Sequence, residues 1–129
     1  MARTCCLAAL DGQDIPLVGS ALKSAGESPL TVVARLDIVE LGNLTPDVLV
    51  ADVDRAATDP LELLRQLRFV LPECVIVVYT AVSTLAWARA CHIAGANCLL
   101  SKTSDESQLA NGLRRAIRGG CFTDPRFAA

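Results

Sequence analysis

The sequence predicts an α/β domain in which a doubly wound parallel sheet carries helices on both faces. Short apolar runs alternate five times with segments of helical periodicity, which is the pattern of consecutive βα units. The 129 residues, 52% hydrophobic and 20% charged, are enough for one domain with a single core. We therefore expect five parallel strands joined by right-handed crossovers.

Each predicted strand is an apolar run of four to seven residues, and each is followed by a helical segment. The predicted strands are residues 5–10, 30–36, 48–51, 74–79 and 97–100. The predicted helices are residues 15–24, 37–44, 60–70, 83–94 and 104–118. Runs this short and this rich in valine and leucine indicate strands that are buried on both faces.

Residues that start or stop helices mark several of these boundaries. Asp59 followed by Pro60 is typical of an N-cap and a first helical position, where the missing N–H of proline does no harm. Gly26, Pro72 and Gly95 end the first, third and fourth helices. The second helix has room for only about two turns.

Composition argues against several classes of protein. The net charge of -2 and an aromatic content of 4% disfavour direct nucleic-acid binding. No apolar run reaches the roughly 18 residues of a membrane span, and the first residues do not have the layout of a signal peptide. The six cysteines follow no metal-binding spacing, so we expect free thiols in a cytoplasmic protein without membrane association.

The stretch 46–54 is the part of the chain around which the site is predicted. Its apolar run ends at Asp52, so this carboxylate lies where a central strand stops. In open α/β sheets the ligand-binding crevice lies beyond the carboxyl ends of the strands. An isolated aspartate at such a point is more often a turn cap, and other polar residues must decide between these interpretations.

Three further polar residues follow other predicted strands. Asp11 follows the first, Thr80 the fourth and Lys102 the fifth, so a parallel sheet would bring all three to the same edge as Asp52. Two carboxylates there can hold Mg²⁺, while an ammonium and a hydroxyl can bind an anionic phosphoryl group. The set suits an acyl phosphate formed on Asp52.

Over essentially its whole length the chain resembles the receiver domain of a two-component response regulator, with a CheY-like (flavodoxin-like) fold. The matching motifs are Pro46-Asp47-Val48 before Asp52, Asp59-x-Leu61-Glu62-Leu63-Leu64, Thr80-Ala81, Gly95-Ala96, Lys102, and Leu113-x-x-Ala116-Ile117-Arg118 with Gly120. The resemblance implies the strand order 2-1-3-4-5 and a non-enzymatic role in phosphorelay signal transduction.

The resemblance also implies roles for single residues. Asp52 would accept a phosphoryl group from a histidine kinase, Thr80 would be the switch hydroxyl and Lys102 the phosphate-sensing residue. Mg²⁺ would be held by Asp11, Asp52 and the backbone carbonyl of Asp54. Residues 1–118 would form the receiver, and 119–129 resemble the linker to a LuxR-type helix-turn-helix output domain of the NarL-like subclass, which is absent here.

Several positions depart from the receiver pattern. Gly12 stands where a second metal-binding acid is usual, and Asp14 is either a substitute ligand or a helix cap. Asp54 adds a negative charge beside a site that must accept an anion. Leu99 replaces the usual aromatic switch residue. The alternative function is therefore a degenerate receiver that acts as an interaction or dimerisation module without phosphorylation.

The remaining candidates concern partner surfaces. Trp87, the only tryptophan, is either a packing residue or an anchor in a homodimer or partner interface. Arg114 and Arg118 on the last helix form either a solvated face or an ion-pairing surface. His92, the only histidine, is expected on a helix surface. No Ser or Cys nucleophile with a His base is visible, which argues against an independent hydrolase.

Overall fold

The computed structural model describes residues 3–27, 30–119 and 121–127. The strands are β1 Cys5–Ala8, β2 Leu30–Val33, β3 Val48–Ala51, β4 Val75–Thr80, β5 Cys98–Ser101 and β6 Phe122–Thr123. The helices are α1 Asp14–Ser24, α2 Ile38–Leu44, α3 Pro60–Val70, α4 Leu85–Ala94 and α5 Glu106–Ile117, with a short 3₁₀ turn at Val53–Arg55. Gly120 of the last motif and residues 128–129 of the predicted tail lie outside the described part.

All strands of the sheet are parallel, in the order β2-β1-β3-β4-β5-β6. This confirms the predicted fold class and the predicted order of the first five strands. The short strand β6, which the sequence did not predict, extends the sheet beyond β5. Ala8 and Val78 both pair with Ala51, so the carboxyl ends of β1 and β3 are level, and β4 continues two residues further to Thr80.

Helices cover both faces of the sheet, and alternate residues of each central strand enter opposite cores. Leu49 and Ala51 of β3 pack in the core beneath α2, α3 and α4. Val48 and Val50 pack in the core beneath α1 and α5. All four are fully buried, as predicted for a strand covered on both faces.

The cysteines behave as small core residues. Five are buried and free, and Cys121 is free and exposed, as the sequence predicts. Burial raises the pKa of the Cys74 and Cys91 thiols to about 12, with a further contribution from nearby carboxylates. These thiols therefore stay protonated and unreactive at neutral pH.

The side chain of Arg68 ties the end of α3 to the loop before β5. Its guanidinium donates hydrogen bonds to the carbonyl oxygens of Leu71, Cys74 and Gly95 and to Oδ1 of Asn97, at 3.1, 2.8, 2.7 and 2.6 Å. Gly95 has φ +126°, and a Cβ atom there would lie 2.8 Å from Cβ of Arg68. The predicted helix end at Gly95 is thus also a point of close approach.

The segment after α5 packs on the domain as far as Phe127. The backbone N–H of Asp124 donates to the carbonyl of Leu99 at 3.0 Å, and the buried Ser104 hydroxyl donates to the Asp124 carboxylate. Phe127, only 5% exposed, lies in the same core as α4. The described part of the predicted tail, residues 121–127, therefore completes one edge of the sheet through β6, and the role of the tail as a linker to another domain stays a prediction.

His92 joins α4 to this segment, and it is half-buried where the sequence suggested a helix surface. Its ring nitrogens lie 2.8 Å from the Ala96 carbonyl oxygen and 2.8 Å from Oγ1 of Thr123. The side chain therefore bridges the end of its own helix and β6.

Substitution of Arg68 by alanine should lower the free energy of unfolding by about 2–3 kcal/mol, because several buried acceptors lose a charged donor. The control is Arg65→Ala on the same helix, where an exposed ion pair with Glu62 is lost at a cost of about 0.5 kcal/mol or less. Urea unfolding with an unchanged m-value measures both. Equal losses of unfolding free energy in the two variants would contradict the role of Arg68 in joining α3 to the loop before β5.

Substitution of Phe127 by alanine should cost about 2 kcal/mol, less than a full core truncation because a terminal segment can detach. Phe69→Ala removes the same ring from a position that is 86% exposed and should change stability by no more than about 0.5 kcal/mol. Thermal unfolding of both variants tests whether the packed tail stabilises the domain.

Candidate functional site

Asp52 is fully buried at the point where β3 ends. Its Oδ1 accepts the backbone N–H of Asp54 at 3.1 Å and so caps the 3₁₀ turn. Its Oδ2 lies 2.8 Å from Nζ of Lys102, and no other donor in the described ranges reaches that oxygen. One oxygen thus makes the turn cap and the other faces a cation, so the turn-cap interpretation is confirmed and a ligand-binding role for Asp52 stays a prediction.

Lys102 reaches this carboxylate from the end of β5. The backbone N–H of Lys102 donates to the carbonyl of Thr80 at 3.0 Å, which continues the β4–β5 pairing past the strand. Its ammonium also lies 3.2 Å from Oδ2 of Asp54 and 5.9 Å from the ring centre of Tyr79. One cation therefore bridges two carboxylates.

The carboxylate of Asp54 also binds the residues at the end of β4. The Thr80 hydroxyl donates to Oδ1 of Asp54 at 2.6 Å, and the backbone N–H of Ala81 donates to Oδ2 at 2.7 Å. The sequence predicted for Asp54 only a backbone carbonyl ligand and an extra charge. An acid three residues after the strand end was the available signal, but the direction of its side chain was not predictable from it.

Burial and hydrogen bonding shift the pKa values of Asp52, Asp54 and Lys102 in different directions. Burial raises the pKa of Asp52, and the attraction of Lys102 does not fully offset this effect. Burial acts on Asp54 in the same sense, but the bonds from Thr80, Ala81 and Lys102 outweigh it and lower the pKa of Asp54. For Lys102, burial favours the neutral form, but the two carboxylates outweigh burial and raise the pKa.

The other acids predicted to bind metal do not join this cluster. Asp11 is exposed, and its Oδ1 accepts the N–H of Gln13 at 3.0 Å. Asp14 is the first residue of α1, whose N-cap is Gln13, so the prediction of Asp14 as the cap is wrong. Oδ1 of Asp14 instead lies 3.4 Å from the hydroxyl of Tyr79, whose pKa burial and this carboxylate raise to about 12.

The residues predicted to hold Mg²⁺ differ in what they already bind. Within 3–27, 30–119 and 121–127 no group of three or more His, Cys, Asp or Glu side chains is arranged to hold a metal ion. Gly12 supplies no side chain, and Oδ1 of Asp11 is bonded within its own turn. Mg²⁺ binding therefore stays a prediction from the resemblance.

The predicted partner-surface residues lie on helices away from these contacts. Trp87 of α4 is half-buried against the α3–α4 core, and its indole N–H is buried with no partner among the described residues. Arg114 of α5 is half-buried and donates to the Ser24 carbonyl at 3.5 Å, whereas Arg118 is exposed. Their role at an interface stays a prediction.

Comparison with known sequences gives one partial match. No family model matches the chain. A methanol utilization control regulatory protein, MoxX of Paracoccus denitrificans, is 31% identical over 85 residues, which are 64% of this chain and 38% of that protein. The chain thus spans well under half of this relative.

Comparison with solved structures identifies receiver domains of response regulators. The isolated receiver domain of RcsB from Salmonella enterica serovar Typhimurium with phosphomimetic BeF₃⁻ has a TM-score of 0.80 at 18% identity, over 98% of this chain and 96% of that one. A LuxR-family response regulator from Aurantimonas sp. SI85-9A1 scores 0.77 at 20% identity, with coverages of 98% and 93%. A CheY-like receiver from Methanospirillum hungatei JF-1 scores 0.77 at 14%, with coverages of 92% and 95%.

These similarities establish that the chain has the CheY-like receiver fold. A separate observation concerns membranes: across the described ranges, each helix is too short or too polar to serve as a bilayer span.

Replacement of Lys102 by methionine should lower the free energy of unfolding by about 2 kcal/mol, because Asp52 then stays buried without its counter-charge. The loss is limited because the lysine itself was partly exposed. A carboxyl whose folded pKa lies above its ordinary 3.8 contributes most stability below 3.8 and loses it as pH rises. The deficit relative to the parent protein should therefore shrink between about pH 7 and about pH 4.5. Urea unfolding across this range measures it.

The double variant Lys102→Met/Asp52→Asn is the control for that experiment. It should regain most of the loss, since no charge stays buried without a partner. A deficit that is independent of pH, or that persists in the double variant, would contradict the role of the ion pair.

Proposed function

We propose that this chain is the receiver domain of a two-component response regulator and that Asp52 accepts a phosphoryl group from a histidine kinase. The observation that carries the proposal is the convergence of a carboxylate, an ammonium and a hydroxyl at one sheet edge: Asp52, Lys102 and Thr80. The shared receiver fold supports it.

The proposed chemistry is transfer of a phosphoryl group between two proteins. An oxygen of Asp52 forms a bond to phosphorus as the P–N bond of the phosphohistidine breaks, and the imidazole nitrogen keeps the electron pair and takes a proton from solvent. The Lys102 ammonium neutralises the anionic group, and the Thr80 hydroxyl and Ala81 N–H are donors to its oxygens. The domain acts here as a switch and not as an independent enzyme.

The proposal extends to the surroundings of the domain. A cytoplasmic response regulator of this kind would carry a LuxR-type helix-turn-helix output domain after residue 129, and phosphorylation would change how the receiver forms a homodimer or contacts its partner. Transcription would then be regulated by the output domain. The packed tail, which ends beside α4, is a direct mechanical connection to such a domain.

A second candidate function is the degenerate receiver, an interaction module that works without phosphorylation. Two observations favour it: Gly12 removes a metal ligand, and the donors expected to bind a phosphoryl group already bind Asp54. Under this candidate the Asp52–Lys102 pair is retained because it stabilises the fold, as a buried carboxylate needs a counter-charge.

Incubation with phosphoramidate in Mg²⁺-containing buffer should add one phosphoryl group to the protein, read by intact mass, and hydroxylamine should remove it as expected for an acyl phosphate. Asp52→Asn should abolish the addition. Glu62→Gln, which alters an exposed carboxylate on α3, should leave it unchanged. Phospho-acceptance at Asp52 would be overturned if Asp52→Asn gained the same phosphoryl group. It would also be overturned if neither the parent protein nor any single-site variant gained one.

A further inference from the structure

The side chain of Asp54 occupies the position that an anion bound to this site would take. Its two oxygens accept hydrogen bonds from the Thr80 hydroxyl and the Ala81 N–H, and the Lys102 ammonium lies 3.2 Å from one of them. These are the donors that the proposed phosphoryl group on Asp52 requires. We infer that Asp54 is a built-in anionic ligand that blocks the phosphate subsite and must be displaced before Asp52 can be phosphorylated.

Asp54 and a phosphoryl group would compete for the same hydrogen-bond donors. The Thr80 hydroxyl and the Ala81 N–H each have a single proton, and both are given to Asp54. The Lys102 ammonium is shared between Asp52 and Asp54 at 2.8 and 3.2 Å. A phosphoryl group entering this arrangement would find two of its three donors engaged, so one anion must leave before the other binds.

The burial of Asp52 also indicates that a side chain must move before Asp52 can be phosphorylated. Asp52 is fully buried, while the side chains of Asp54 and Lys102 above it are 21% and 22% exposed. Both residues bind Asp52 directly, Lys102 through its ammonium and Asp54 through its backbone N–H, so they are partly exposed groups next to the acceptor carboxylate. A phosphoryl donor reaches Asp52 only when one of them swings away, and Lys102 is the one that the transferred group needs.

The net charge of the cluster also opposes the binding of a phosphoryl group. Two carboxylates and one ammonium leave the cluster with one excess negative charge when all are ionised, and an incoming phosphoryl group adds more. Asp54 therefore opposes phosphorylation by repulsion as well as by occupancy.

The backbone allows the side chain to move without unfolding the site. Asp54 lies at the centre of the 3₁₀ turn Val53–Arg55, which the buried Val53 anchors to the core. Rotation of a partly exposed side chain is fast and leaves such a turn in place. The contact thus works as an internal gate: a partner that gives Asp54 another hydrogen-bonding group would open the subsite.

The inference rests on the proposed function, and the first test compares rates of labelling by phosphoramidate, read by intact mass. Asp54→Ala empties the subsite and should label at least about tenfold faster than the parent protein, which corresponds to an activation free energy lower by about 1.4 kcal/mol. Glu62→Gln removes one negative charge far from the subsite and should stay within about twofold. Labelling of Asp54→Ala no faster than the parent would overturn the gate while leaving phospho-acceptance intact.

A second measurement does not depend on phosphorylation. Inorganic phosphate is titrated into ¹⁵N-labelled protein, and the amide resonances of Ala81 and Lys102 are followed. Asp54→Ala should show shifts that saturate at a phosphate concentration at least about fivefold lower than for the parent protein. Equal titrations would overturn the inference. If neither protein is labelled but Asp54→Ala binds phosphate more tightly, the proposed function fails and the blocked subsite stands.

Discussion

The burial of the Asp52 carboxylate is the constraint on which the rest of the site depends. A charge removed from water at the end of a central strand needs a partner, since an uncompensated buried charge is among the most costly features of a fold. Lys102 is that partner, and it reaches Asp52 because β5 continues its pairing with β4 one residue past the strand. The parallel register of three strands therefore places two side chains that lie fifty positions apart in the chain within 2.8 Å.

The cluster contains two carboxylates for one ammonium, and this charge imbalance determines how the site uses its hydrogen-bond donors. Asp54 reduces the imbalance by using the Thr80 hydroxyl and the Ala81 N–H, so its charge is stabilised by hydrogen bonds instead of by a second cation. The same donors serve a phosphoryl group in the proposed function. Phosphate-dependent and phosphate-independent roles therefore differ, in this molecule, by which anion those donors hold.

The alternation of strands and helices, the order of the first five strands and the meeting of Asp52, Thr80 and Lys102 were all predictable from the sequence. The alternation and the meeting of these residues follow from rules that act along the chain, because apolar runs fix the strands and parallel strand ends share an edge. The strand order was implied by the resemblance to receiver domains. β6 was missed because a two-residue strand has no periodicity to detect. The cap alternative for Asp14 is wrong because a residue beside the cap carries the same local signal as the cap itself.

By itself, then, the sequence determined the alternation of strands and helices and which polar residues follow the strand ends, since local patterns encode both. Only the tertiary structure decided how those residues use their hydrogen bonds: Asp11 within its own turn, Asp14 at Tyr79, and Asp54 on Thr80 and Ala81. The direction of a short acidic side chain depends on which donors from distant strands come within about 3 Å, and no spacing along one chain specifies that distance.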